Sequence, residues 1–242
     1  MELIKCNNLG YAYKENKVLE HINFSVEKGE VLGVLGPNGA GKSTLMTICA
    51  TLLKPSEGEI VYYGDISIDY KKLRRKIGFV PQEIALYEEL TPAENLYFFG
   101  KLYGLKRDEL KLQVAHAAEL TGIAINERKK IKELSGGMKR RVNIAAAIIN
   151  SPEILIMDEP TVGIDIQSRR EILMAVGNMM ESGKAILYSS HYFDEIVKVC
   201  SKILVLKDGK VSAYGTSNEL IPKHVQGDVS LEENRLLDSF FL

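Results

Sequence analysis

Nine residues, Gly36-Pro37-Asn38-Gly39-Ala40-Gly41-Lys42-Ser43-Thr44, follow directly on the apolar run Val31 to Leu35. Behind them Leu45, Met46, Ile48, Cys49, Leu52 and Leu53 recur at helical spacing. The pattern predicts a short buried strand, a glycine-rich turn and a helix from about Lys42 to Leu53, ended by Pro55 and Gly58. Further apolar runs predict strands at Ile77 to Val80, at Ile154 to Met157, at Ala185 to Tyr188 and at Ile203 to Leu206. Pro81 stops the first of these, and a helix from about Gln167 to Glu181 separates the second from the third. Strands alternating with helices imply an α/β fold with a largely parallel sheet covered on both faces.

From Thr91 the texture changes. Asn95 to Phe99 and Glu109 to Leu120 are helical patterns with no strand between them, and the helical character persists to Ile149. Residues 89–149 therefore read as a helical insertion that divides a core made of 1–88 and 150–220, and 221–242 form a C-terminal tail. In that tail Leu236, Leu237, Phe240 and Phe241 predict one apolar helix face docked on the chain's own core. Lys207-Asp208-Gly209-Lys210 predicts a hairpin turn, because Asp-Gly tolerates positive φ.

The balance of residues excludes several classes. At 242 residues the chain can bury a sizeable core, and its 45% hydrophobic and 26% charged residues suit a globular protein. The net charge of -1 gives no overall attraction to nucleic acid or anionic lipid, and no nucleic-acid partner is expected. Short basic clusters, Lys71-Lys72 with Arg74 to Lys76, Lys129-Lys130 and Lys139-Arg140-Arg141, read as solvated helix faces. Cys6, Cys49 and Cys200 lie far apart with no metal-ligand spacing, which fits a reducing cytosol. No run approaches the roughly 20 apolar residues that span a bilayer, so a membrane role requires a partner.

Several segments carry chemistry. Gly36 to Thr44 fits the phosphate-loop pattern, two glycines separated by four residues and followed by Lys-Ser. Glycines let backbone N–H groups converge on phosphate oxygens, and the following helix adds its positive dipole end. Lys42 can then bridge β- and γ-phosphates, while the Ser43 hydroxyl suits Mg²⁺. Asp158 and Glu159 end the buried strand Ile154 to Met157; the first suits Mg²⁺ through a water, the second can polarise an attacking water. Ser135-Gly136-Gly137 opens a helix, Met138 to about Ile149, and offers a second anion site. Taken alone, Gln82, His191 and Tyr13 (with Tyr11 close by) read as ordinary structural residues.

Together and in this order, the phosphate loop, Gln82, Leu134-Ser135-Gly136-Gly137, Asp158-Glu159, Asp165 and His191 resemble the ATP-binding cassette family from about Leu3 to Leu220. The resemblance implies a phosphate-loop ATPase core with a mainly parallel sheet, an N-terminal antiparallel β region and an inserted α-helical subdomain. ATP and Mg²⁺ are the implied cofactors. Tyr13, six residues before Leu19, resembles the adenine-stacking aromatic. Gln82 resembles the lid glutamine and metal ligand, Glu159 the catalytic carboxylate, and His191 the switch histidine. Asp165 resembles the aspartate of a loop that crosses between subunits. Two cassettes stack head to tail in this family, so Ser135, Gly136, Gly137 and Asp165 are expected to serve the ATP of a second copy.

Met138 stands where Gln is common, Val162-Gly163-Ile164-Asp165 where Ser-x-Leu-Asp is common, and Ile166 where proline often follows. Gly-Gly-Met-Lys-Arg-Arg and Thr-Val-Gly-Ile-Asp are similar to cassettes of multidrug, antibiotic or lipid exporters, whose integral permease is a separate chain. The implied location is cytoplasmic, peripheral on the inner face of the membrane. Two other readings stay open: a soluble cassette acting on ribosomes, DNA or iron–sulfur assembly, and a nucleotide switch without turnover.

Overall fold

The computed structural model describes residues 1–63 and 69–221. The apolar face expected at Leu236 to Phe241 lies outside the described residues. The order of elements is β1 (Glu2–Tyr13), β2 (Asn16–Glu27), β3 (Val31–Leu35), α1 (Lys42–Cys49), β4 (Glu57–Tyr62), α2 (Tyr70–Lys76) and β5 (Ile77–Val80). Helices α3 (Pro92–Leu102) and α4 (Arg107–Thr121), one 3-10 turn (Ile131–Glu133) and α5 (Gly136–Ile148) follow. Then come β6 (Ile154–Met157), α6 (Ile166–Glu181), β7 (Ala185–Ser190), α7 (Phe193–Val199), β8 (Lys202–Lys207), β9 (Lys210–Thr216) and α8 (Ser217–Leu220).

Two sheets result. One is antiparallel with order β2-β1-β4; the other has order β5-β6-β7-β3-β8-β9 and is parallel except for the β8–β9 hairpin. Alternation within the central strands divides the core. Val31 and Leu35 of β3, with Leu155 and Met157 of β6, face a cluster shared with α3 to α7. Leu32 and Val34, with Ile154 and Ile156, face the antiparallel sheet and α1. Each central strand is thus buried on both sides, which is why it reads as an unbroken apolar run. In the hairpin, Asp208 and Gly209 both take positive φ (47° and 74°), as the Asp-Gly turn requires.

The register is what positions function. Leu35 of β3 pairs with Ser190 of β7, Met157 of β6 with Tyr188 of β7, and Val80 of β5 with Met157. Four parallel strands therefore end nearly level, and the loops after them emerge along one edge, the usual ligand crevice of an open α/β sheet.

Two helix boundaries differ from the sequence expectation. Helix α1 stops at Cys49 rather than Leu53, because Thr51 turns left-handed (φ 61°). The Thr51 N–H then donates to Ile48 O and the Leu52 N–H to Thr47 O, closing a Schellman cap without glycine. Leu52 and Leu53 matched the helical period but lie beyond it. At the other boundary α5 begins at Gly136 rather than Met138, since Ser135 caps it by accepting the Met138 N–H at 3.3 Å.

Helix α5 lies so close to β5 that a Cβ on Gly78 would stand 2.5 Å from Ala147 O and 3.0 Å from Leu155 Cδ1. Gly78→Ala must push the helix off the sheet, and a loss of about 1–3 kcal/mol is expected in a denaturant titration. A midpoint unchanged by this substitution would contradict the packing.

Candidate functional site

The loop after β3 is built on close approaches. A Cβ on Gly36 would meet Leu206 O at 2.4 Å, so only glycine lets the loop start against β8. The Gly209 N–H donates to Ala40 O at 3.2 Å and ties the loop to the β8–β9 hairpin. Gly41, at φ 103°, turns the chain into α1, whose free N–H groups face the cavity above them. That cavity is about 390 Å³ and is lined by Asn38, Gly39, Gly41, Lys42, Ser43 and Thr44 from the loop, with Val18, Gln82, Glu159, Val162 and His191 around them. Most of the residues expected to touch ATP in one subunit converge there. Pro37, exposed, and Gly36 and Ala40, both buried, shape the loop from outside the lining, and Asp158 sits beneath it.

Lys42 and Glu159 form a buried ion pair at the cavity. Lys42 Nζ donates to Gly36 O (2.8 Å) and Pro37 O (3.1 Å) and stands 2.9 Å from Glu159 Oε1. The two side chains are only 4% and 7% exposed, so each charge depends on the other for compensation. Glu159 itself is held at φ 44°, a left-handed conformation that costs a non-glycine residue about 1–3 kcal/mol and persists only under surrounding constraint. The constraint is visible. Its N–H donates to Ser189 Oγ (2.9 Å), and that hydroxyl donates to Asp158 Oδ1 (2.7 Å). Asp158 is in turn anchored by its own N–H to Val80 O.

His191 Nδ1 stands 3.5 Å from Glu159 Oε2, too far for a hydrogen bond, and is buried without a hydrogen-bond partner. The backbone beneath it is firmly fixed. Glu195 is fully buried and its Oε2 accepts from Tyr188 OH (2.9 Å) and Ser190 Oγ (2.8 Å). The other carboxylate oxygen faces Arg169 Nε at 2.5 Å, and Arg169 also reaches Asp194 (2.6 Å) and lies over the Tyr192 ring at 4.7 Å. Burial and the Glu195 charge push the Tyr188 phenol well above its ordinary value, keeping it a neutral donor.

Ser135, Gly136, Gly137 and Asp165 are absent from that lining and form a separate group. Asp165 caps α6, accepting the Ser168 N–H at 3.0 Å, and this bond holds its carboxyl below the usual range. A Cβ on Gly137 would fall 2.0 Å from Ser168 Oγ and 3.0 Å from Asp165 Oδ2. The exposed Ser135-Gly136 end of α5 and the cap of α6 are thus packed as one unit.

Tyr13 is 53% exposed, stands edge-on to Tyr11 with ring centroids 4.9 Å apart, and does not line the cavity; Val18 of the adjacent strand does. Sequence reading missed Val18, Val162, Ser189, Glu195 and Arg169. They lie in ordinary strand and helix patterns, and only the fold reveals what they touch. For a divalent cation, Ser43, Gln82 and Asp158 supply hydroxyl, amide and carboxylate oxygens, a hard donor set that suits Mg²⁺ completed by phosphate and water. No group of three or more His, Cys, Asp or Glu side chains among the described residues offers a cage that binds metal without phosphate.

Comparison with known proteins places these features in a family context. The family described as ABC transporter matches residues 19–162. The chain is 44% identical over 231 residues to the linearmycin resistance ATP-binding protein LnrL of Bacillus subtilis (strain 168), covering 95% of this chain and 74% of that one. It is 34% identical over 227 residues to the Nod factor export ATP-binding protein I of Sinorhizobium fredii (strain NBRC 101917 / NGR234), covering 93% and 66% respectively. Among solved structures, the post-hydrolysis dimer of the ATP-binding cassette MJ0796 bound to ADP and Pi superposes with a TM-score of 0.78 at 28% identity, covering 89% of this chain and 99% of that chain.

Two outcomes follow from the geometry. Lys42→Met leaves a buried carboxylate unpaired and is expected to destabilise the nucleotide-free protein by about 3 kcal/mol in urea, whereas Glu159→Gln, which leaves Lys42 its two carbonyls, costs clearly less. The opposite order would rule out the pairing. Gly137→Ala is expected to impair ATP turnover, with partial recovery when Ser168→Gly is added; a double variant no better than the single would place the defect elsewhere.

Proposed function

The chain belongs to the ATP-binding cassette (ABC) transporter family, and from that membership we propose how its residues divide the work of an ATP hydrolase that drives an exporter. The observation that carries the reading is the Lys42–Glu159 pair at the mouth of the phosphate loop. ATP enters the 390 Å³ cavity and its phosphates take over the N–H groups of Gly39 to Thr44. Lys42 exchanges the Glu159 carboxylate for phosphate oxygens, and Glu159 is thereby released to accept a proton from water. Ser43, Gln82 and, through water, Asp158 would hold Mg²⁺, which neutralises phosphate charge when bound. The water oxygen bonds to the γ-phosphorus, the bond to the β–γ bridging oxygen breaks, and ADP departs. Tyr13, beside the tight turn of the β1–β2 hairpin, would stack on the adenine.

The unpartnered Nδ1 of His191 is directed toward Glu159 and would be engaged once a γ-phosphate lies between them. Ser135, Gly136, Gly137 and Asp165 lie outside their own subunit's cavity, which supports their use on the ATP of a second, head-to-tail copy. The MJ0796 cassette, a similar chain, is a dimer with ADP and Pi. The names of the relatives, a resistance protein and an export protein, support transport over action on ribosomes, DNA or iron–sulfur assembly. Glu159 and His191 together argue against a switch without turnover.

No helix among the described residues is long and apolar enough to cross a membrane. The transport reading pairs this chain with a separate permease and places it on the membrane's inner face, and the relatives' names support it. An apolar groove of about 280 Å³ between β5 and the helical segment suits a segment of that permease. Leu52, Phe79, Phe99 and Tyr103 line it, and Pro81 and Ala85 on either side of Gln82 complete its wall. A load seated there presses directly on the Gln82 loop.

Glu159→Gln is expected to lower ATP turnover by at least 100-fold and to accumulate an ATP-bound dimer in size-exclusion chromatography; wild-type turnover would overturn the assignment of Glu159. Mild-detergent extraction of the native complex is expected to recover an integral membrane protein, and recovery of ribosomes instead would favour the soluble alternative.

A further inference from the structure

Arg140 has no place in the cycle just described, yet its surroundings are unusual. It lies in α5, one turn beyond the exposed Ser135-Gly136 end, and is only 4% exposed. A buried guanidinium is costly, and burial pushes its pKa down while the Asp158 carboxylate opposes that shift. The compensation is specific. Arg140 Nη1 donates to Pro81 O at 2.7 Å and Nη2 donates to Gln82 O, two consecutive carbonyls of the loop that carries Gln82. One helical turn later Asn143, also 4% exposed, accepts the Ala85 N–H on Oδ1 at 3.1 Å. Two buried polar side chains three residues apart share one helix face. Both satisfy backbone groups that the loop would otherwise leave open.

We infer that Arg140, assisted by Asn143, is a positioning residue that clamps the Gln82 loop to the helix presenting Ser135 to Gly137, so that the two halves of the machinery in one subunit move together. Gln82 lines the subunit's own nucleotide cavity, while the start of α5 does not. Arg140 and Asn143 are the buried polar bridge between them. An apolar residue at position 140 could fill the volume but could not hold two carbonyls at fixed spacing. Lysine carries the charge but has no planar fork, so it can serve one carbonyl well and not both. The inference rests on the proposed roles of Gln82 and of Ser135 to Gly137 for its consequence in turnover, but not for the clamp itself.

The clamp is read by hydrogen exchange on the full chain without nucleotide. Arg140→Met is expected to speed exchange of the amides in 82–87 by at least tenfold while those in the second half of α5 keep their protection, and Asn143→Leu to expose the Ala85 amide selectively. Turnover is read in parallel. Arg140→Met should bind ATP within about twofold of wild type when Mg²⁺ is withheld, yet lose at least tenfold in kcat and its cooperativity in ATP, with Arg140→Lys intermediate in both. Unchanged exchange in 82–87 overturns the clamp whether or not the protein hydrolyses ATP. Faster exchange with kcat and cooperativity unchanged overturns the coupling. Equal loss of ATP affinity, melting temperature and kcat in the Met and Lys variants would reduce Arg140 to a fold-holding residue and overturn the inference as well. Variants that exchange as described, in a protein whose wild type hydrolyses no ATP, leave the clamp standing and remove the ATPase reading instead.

Discussion

The level ends of the central parallel strands are the constraint on which the rest depends. Because β3, β6 and β7 are in register at their carboxyl ends, the phosphate loop, Asp158-Glu159 and His191 emerge side by side although they are distant in sequence. The pairing of Lys42 with Glu159 is a direct result. A one-residue slip of β6 against β7 would turn Leu155 and Met157 to the wrong core and carry Glu159 away from Lys42. The two apolar clusters on either face of the sheet therefore stabilise the chemistry as much as the fold.

Around that edge the polar network is hierarchical. Ser189 binds both the Glu159 backbone and the Asp158 carboxylate, and Glu195 secures Tyr188, Ser190 and Arg169. Each is buried, and each leaves the reactive side chain beside it free to change partners. His191 is the clear case: rigid backbone below, unpartnered Nδ1 above. Rigidity in the support and freedom at the tip are what positional catalysis needs.

Much of this was legible in the sequence because it depends on local pattern. The β3 strand, the loop after it, the hairpin at Asp208-Gly209 and the start of α6 follow from apolar runs, glycine spacing and turn chemistry. Family resemblance then brought Gln82 and His191 forward, which their own surroundings in the sequence could not. Helix ends were misjudged where a non-glycine residue, Thr51, took the left-handed cap that periodicity assigns to glycine. Arg140, expected on a solvated basic face with Lys139 and Arg141, is instead buried, and Asn143, Ser189 and Glu195 carried no signal, all for a different reason. Most of their partners are backbone groups or side chains on other elements, and no spacing along the chain encodes such contacts.

The Lys42–Glu159 pair changes what it means for this cavity to be empty. Electrically the site is already occupied: the lysine has an anion, one the protein supplies. An incoming nucleotide does not neutralise a waiting charge but competes with a resident one, in an ion-exchange reaction. A ligand must therefore bring more negative charge to Lys42 than one carboxylate provides, and each phosphate removed weakens its bid. On the proposed reading, the displaced glutamate would itself weigh the triphosphate against its product.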